Sequence, residues 1–248
     1  MAVKKATTTP VTTTTTPETN VAIERAKGFW DKYSKPIIYV GSAIILAIAG
    51  YYIYQNYVVK PKEEKASSLV FAAENLFDKM ASASFNKDSV NLVLNGGTSS
   101  NGTLVTGVLK VISNYGGTKT ANRAKYIAGA TYLQIKEFDK AIKYLKDFDG
   151  NGADQVQSKA YIMLGHAYAE KKNSEEALSY YKKASRVNSK DESITPYALL
   201  MAASYAEATG KNKEAIDLFK EVKEKYPANT AVTSGDVEKH LAVLAVFN

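Results

Sequence analysis

The chain of 248 residues contains no cysteine, which removes disulfides, thiolate nucleophiles and cysteine-ligated metals together. It leaves the compartment open, because an oxidising space tolerates a cysteine-free protein as readily as the cytosol does. Histidine is almost as scarce. His166 and His240 are the only two, and neither stands at a metal-ligating spacing, so neither metal nor cofactor is expected. The glycine-containing stretches "NGGTSSNG" and "NYGGTK" match neither a P-loop nor a dinucleotide fingerprint and read as turns. With no constellation for chemistry, neither an enzyme nor a small-molecule substrate is expected. The formal charge of +7 is spread out: residues 1–35 hold 6 basic and 3 acidic groups, leaving a surplus of only 4 over the rest. No cluster of arginine forms a stripe, which argues against nucleic acid. The carboxylates Glu175, Glu176, Glu214 and Glu221 sit beside lysines, as on solvated helix faces.

What the chain does have is one long apolar run. Residues 37–59, "IIYVGSAIILAIAGYYIYQNYVV", carry no charge, and roughly 20 such residues at 1.5 Å each cross a hydrocarbon core. Pro36 suits the first turn of that helix, where its missing N–H is not needed. Trp30 and Tyr33 precede the run, and Tyr51, Tyr52, Tyr54 and Tyr57 close it, as an aromatic belt would. A cleaved signal peptide fits poorly. Its apolar core is shorter, begins nearer the start and ends at a small-residue cleavage site. A membrane helix over 36–59 is therefore expected. Ala43, Ala47 and Gly50 share one of its faces, a pattern that permits close helix contact in lipid.

Residues 1–20 are low in complexity, rich in Thr and broken by Pro, and predict a disordered tail. Over 21–35, Ala22, Ala26, Trp30 and Tyr33 fall on one helical face with Asn20 as N-cap, predicting a short amphipathic helix at the interface. Arg25, Lys27, Lys32 and Lys35 precede the span, against Lys60, Lys62 and Lys65 after it. The balance favours a cytoplasmic N-terminus and places the remainder outside the cytoplasm.

Self-comparison finds a repeat. "YIAGATYLQIKEFDKAIKYL" (126–145) aligns with "IMLGHAYAEKKNSEEALSYY" (162–181), matching Gly129 with Gly165, Tyr132 with Tyr168, Ala141 with Ala177 and Leu145 with Tyr181. A third copy carries Ala202, Tyr205, Ala215, Phe219 and a closing Pro227, its turn one residue longer. The pattern resembles the tetratricopeptide repeat, a helix–turn–helix unit that stacks into a solenoid. The fold class expected is all-α: a single N-terminal transmembrane helix followed by three repeats over 119–229. The first two copies lack the closing Pro, holding Ala153 and Ser189 there, and the first has Lys125 where a large apolar residue is usual. Flanking helices are expected over 60–118, with 61–82 continuing the membrane helix, "VNLVL" a short edge segment and 103–115 a helix. A capping helix begun by Ser234 is expected over 233–248.

If the units stack as that family does, the first helix of each faces a concave groove. Tyr126, Leu133, Ile162, His166 and Leu199 would line it, with Arg123 and Lys159 near a basic rim. Tyr126 and Ile162 could instead be covered by the flanking helices. His166 reads as groove-lining or partly buried, and His240 as a surface residue. The carboxylate clamp of chaperone-binding members does not carry over, since the matching places hold Tyr126 and Ala130.

The order of parts, with "PKEEKA" after the span and "NYGGTKTANRAKYIAGATYL" opening the repeats, is similar to the ancillary (YfgM-like) subunit family of the bacterial Sec translocon. It also looks like membrane-anchored tetratricopeptide proteins of Bacteroidota. That resemblance implies a single-pass inner-membrane protein with a periplasmic repeat domain. Its implied partners are translocon subunits, a periplasmic chaperone and nascent chains. The alternative is a structural subunit of another envelope secretion or motility complex.

Overall fold

The computed structural model describes residues 17–82 and 86–246. The expected disordered tail lies, as far as residue 16, outside them. The fold is all-α, with one two-stranded hairpin. Two compact units divide the chain between Val58 and Val59.

In the first unit, helix α1 runs Pro17–Tyr54 and ends in a π-helical turn at Gln55–Val59. The expected interfacial helix and membrane helix are therefore one element. The expected N-cap position, Asn20, falls inside the helix, which already begins at Pro17. Pro36 is likewise interior, not an N-terminal residue. One helix among the described residues is long and apolar enough to cross a membrane, with a window of mean hydropathy 1.9 and none of it buried. In the π-turn, Asn56 Nδ2 donates to the carbonyl of Tyr52, four residues earlier, at 2.8 Å.

The second unit begins with α2 (Lys60–Ser82) and α3 (Lys87–Asn95). "VNLVL" belongs to α3 and is no edge segment. Asn86 caps α3 by accepting from Ser89 N at 2.8 Å, and Val90, Val93 and Leu94 bury one helical face. The stretch 103–115 also differs from expectation. Strands β1 (Gly96–Thr98) and β2 (Leu104–Thr106) pair antiparallel, and the helix is confined to α4 (Val108–Asn114). Gly107, extended at φ −66° and ψ 147°, separates strand from helix.

Three helical hairpins follow: α5 (Lys119–Gln134) with α6 (Phe138–Lys146), α7 (Asp154–Glu170) with α8 (Ser174–Arg186), and α9 (Ile194–Ala208) with α10 (Asn212–Lys225). Each turn places one residue in the left-handed region: Lys136 at φ 62°, Lys172 at φ 58° and Gly210 at φ 74°. The extra residue of the third copy is taken up at the C-terminal end of its first helix rather than in the turn. Glu137 and Asn173 donate to Tyr132 O and Tyr168 O, but Lys211 reaches Ala206 O, one residue past the matching Tyr205. Two short elements close the domain, α11 (Thr230–Thr233) and α12 (Asp236–Val246). Ser234 does not begin α12: Gly235, at φ 79°, breaks the helix between them.

Within each hairpin the matched small and large positions interlock. A methyl added at Gly129 would stand 2.5 Å from Leu145 Cγ, and one at Gly165 would stand 2.5 Å from the ring of Tyr181. Ala202 and Phe219 occupy the same places in the third hairpin and are fully buried in one cluster. A second cluster joins α2–α4 to the first hairpin, and a third fills the space between the first and second hairpins. Gly165→Ala should therefore force the Tyr181 ring out of place, costing about 1–3 kcal/mol. Thermal melts of the variant and parent, followed by circular dichroism, check this; an unchanged midpoint would contradict the interlock.

Candidate partner-binding surface

The residues expected along the inner groove separate into two groups. Ile162 and Leu199 are core residues, only 5% and 1% exposed, and do not line a groove. They share one cluster with Ala198, Ala203, Ala206 and the half-buried Ala169. These small side chains allow α7 and α9 to pack directly together, which closes the inner face over the larger residues. Tyr126, Leu133 and His166 are half-buried, while Arg123 and Lys159 are exposed. The rim expected to be basic is locally neutralised, because Arg123 Nε lies 3.2 Å from Glu74 of α2.

His166 is engaged from inside. Its Nδ1 lies 2.9 Å from the Tyr181 hydroxyl, with the two rings edge-on. Burial holds the imidazole below the ordinary histidine value and pushes the Tyr181 phenol far up. The phenol therefore keeps its proton and shares a hydrogen bond with a neutral imidazole, whose tautomer sets which of the two donates. His240 is not a plain surface residue: its ring stacks on Phe219 with centroids 4.8 Å apart, and Nδ1 meets Glu207 at 2.7 Å. Ala43, Ala47 and Gly50 are exposed on α1, and beyond its chain neighbours and the helix's own backbone no described atom would lie within 4 Å of a methyl added at Gly50.

What stays open is a cleft of about 570 Å³ where α2 meets the first hairpin and the loop before α7. Phe77, Tyr126, Ile127, Phe148 and Val156 form its apolar lining, and Glu74, Asp78, Lys119 and Arg123 stand at its edge. Tyr126 and Phe148 pack with ring centroids 5.3 Å apart. Burial raises the Tyr126 phenol, so its hydroxyl stays protonated at neutral pH. The loop is fixed by reciprocal bonds: Asp149 N donates to Asn122 Oδ1 at 3.0 Å, and Asn122 Nδ2 donates to Asp149 O at 2.6 Å. Gly150 N donates to Gln157 Oε1 at 2.6 Å.

Of the expected groove residues, the cleft gathers Arg123 and Tyr126. Leu133, Lys159 and His166 lie outside it. Phe77 and Phe148 were missed by sequence reasoning. Their apolar character was visible, but nothing local shows that α2 and a loop residue face the same space.

A family model described as a tetratricopeptide repeat-like domain matches residues 27–188. Another, described as a tetratricopeptide repeat, matches residues 162–230. No curated protein matches the chain.

The His166–Tyr181 pair gives a pH dependence. An unfolded histidine titrates near about 6.5, and the folded value is lower. The pair's contribution is thus complete above the unfolded value and is lost as pH falls through it toward the folded one. Denaturant midpoints should decline between about pH 7 and pH 5, above the range where carboxylates titrate. His166→Gln should flatten that decline, and an equally steep profile in the variant would exclude His166 as its source.

Proposed function

Because the chain belongs to the tetratricopeptide repeat-like family, whose domains mediate protein–protein interaction, we propose that it is a membrane-anchored, non-enzymatic adaptor. Its α1 span seats it in a bacterial inner membrane with the N-terminus cytoplasmic and the repeat domain periplasmic. The span docks on a membrane complex through the Ala43, Ala47 and Gly50 face. The repeat domain holds a soluble protein partner in the cleft at Tyr126. The open apolar cleft between α2 and the first hairpin carries this reading. It is concave, lined by aromatic and aliphatic groups and edged by a few charges, as a site for a peptide segment should be. Its rigidity, from the bonded loop and the Arg123–Glu74 pair, lowers the ordering cost of binding.

The resemblance in domain order favours the protein-conducting channel as the membrane complex. A periplasmic chaperone and emerging chains are then the soluble partners. The second reading is a permanent subunit of another envelope secretion or motility complex. The closed inner face around Ile162 and Leu199 favours it to this extent: the buried positions leave little of the usual groove for exchange.

Two variants separate the anchor from the cleft. Val156→Lys puts a charge on the cleft's half-buried wall, and Ala47→Ile with Gly50→Ile bulks the span face. After gentle detergent extraction and quantitative mass spectrometry, Val156→Lys should lose about tenfold of the soluble partner while keeping the membrane complex. The span variant should do the reverse. Channel subunits together with a chaperone in the parent sample support the translocon reading. A different machine recovered at fixed ratio would replace it with the structural one. Retention of every partner by both variants would sink the assignment of both surfaces.

A further inference from the structure

Away from the cleft, the second helices of the first two hairpins carry an arrangement of lysines over tyrosines. Tyr132 stacks on Tyr144 with centroids 5.6 Å apart, and Tyr168 on Tyr180 at 5.4 Å. The two pairs are one repeat apart. Lys146 of α6 lies 5.4 Å from the Tyr168 centroid and 5.9 Å from that of Tyr180, and Lys183 of α8 lies 4.5 Å from the same Tyr180 centroid. Two ammonium groups from successive hairpins therefore converge on one ring. Neither forms an ion pair with a carboxylate within 4.0 Å among the described residues. The surrounding cations mostly do: Lys182 meets Glu214 at 2.5 Å, Arg186 meets Glu221 at 2.9 Å, and Lys171 pairs with Asp139.

Lys183 is also on the wall of a trough of about 770 Å³ along α8. Tyr161 and Leu178 give it apolar lining, and Lys211 extends its cationic side without an ion pair of its own among the described residues. Its carboxylates are Glu175 and Glu214, the second already engaged by Lys182. Glu176 adds negative charge near Tyr180, on the turn before it. The uncommitted charge is thus positive, held in place by stacking on rings, and set beside a concave apolar lining. A flat bilayer does not enter a trough, and a small free anion does not use its apolar lining. An acidic stretch of extended polypeptide does both.

We propose that this trough, with Lys183 on its wall and Lys146 beside it at the Tyr180 ring, is a second docking surface for an acidic segment of a partner protein. It does not depend on the cleft at Tyr126. An ammonium group with no carboxylate partner gains one when a carboxylate-bearing chain enters. The rings keep the ammonium groups ordered, so little side-chain entropy is lost on binding.

The test uses the full chain in phosphatidylcholine nanodiscs at low ionic strength. A fluorescein-labelled peptide of alternating Glu and Leu is titrated by anisotropy, beside a control with Gln for every Glu. The acidic peptide should bind and the control should not. Lys146→Gln with Lys183→Gln should weaken binding about tenfold. Lys146→Arg with Lys183→Arg, which keeps both charge and stacking, should stay within about twofold of the parent, so a loss in the Gln variant is not one of folding. Equal binding by the Gln variant, or no binding by the parent, would overturn the proposal. So would a Gln variant that keeps the peptide but loses phosphatidylglycerol vesicles, since the lysines would then serve a lipid surface.

Discussion

Each helical hairpin in the repeat domain closes on a bulky side chain seated where the opposing helix has almost none. Leu145 fills the space over Gly129, and Tyr181 fills that over Gly165. The close helix approach that results buries the small residues of the second helices, Ala141, Ala177 and Ala215, completely. The size of the knob then decides what lies behind it. Leu145 meets the second hairpin through apolar contact alone, in one cluster with Ala160 and Leu164 of α7. Tyr181 extends further, contacting His166 through its hydroxyl and standing 5.4 Å from the ring of Tyr205 in the next hairpin. Stacking of the second hairpin on the third is therefore tied to closure of the second. This is the sense in which no unit buries its face alone.

The same preference for small side chains accounts for where partners can and cannot sit. Ala203 and Ala206 on α9, opposite Ala169 on α7, draw successive first helices together and seal Ile162 and Leu199 into the core. Along the inner face, space returns where this pattern stops, before the first hairpin. There α2 takes the place of a preceding repeat. It is held by a carboxylate: Glu63 accepts from Lys119 N at 2.6 Å, from Thr120 N at 2.9 Å and from Thr120 Oγ1 at 2.6 Å. These are free donors at the start of α5, where the helix dipole also favours negative charge. Lys62 donates to Gly116 O at 3.1 Å beside it. The cleft at Tyr126 lies further along α2, between Glu74, Phe77 and Asp78 and the loop before α7.

How much of this was legible depended on whether the physical signal was local. The spacing of Gly, Tyr and Ala along each copy is a local record of helix–helix contact, and it placed all three hairpins. It also carried the longer third turn, though not that the extra residue would enter α9. The capping residue Asn86 and the helical spacing of Val90, Val93 and Leu94 are local signals of α3, where a short edge segment was expected. Burial of Ile162 and Leu199 was not legible. Their repeat positions usually face a groove, and only the alanines of neighbouring helices, acting in three dimensions, cover them. Glu63 and Thr120 are far apart in the chain, and no pattern in either neighbourhood announces that they meet.

The charged surface follows a similar division between what builds the fold and what it leaves over. Ion pairs join successive hairpins through Lys171 and Asp139, Lys182 and Glu214, and Arg186 and Glu221. Being largely exposed, each contributes about 1 kcal/mol or less, so the curvature of the stack is set by the buried interlocks rather than by charge. The pairs do set which cations are already satisfied. In the third hairpin Leu218 stands where the second has Tyr180, and with no ring to seat an ammonium group the arrangement ends. Lys146 and Lys183 are left on an aromatic support with their charge uncommitted. Their position is a by-product of stacking two hairpins that each carry a tyrosine pair, and it confers a capacity that the solenoid itself does not use.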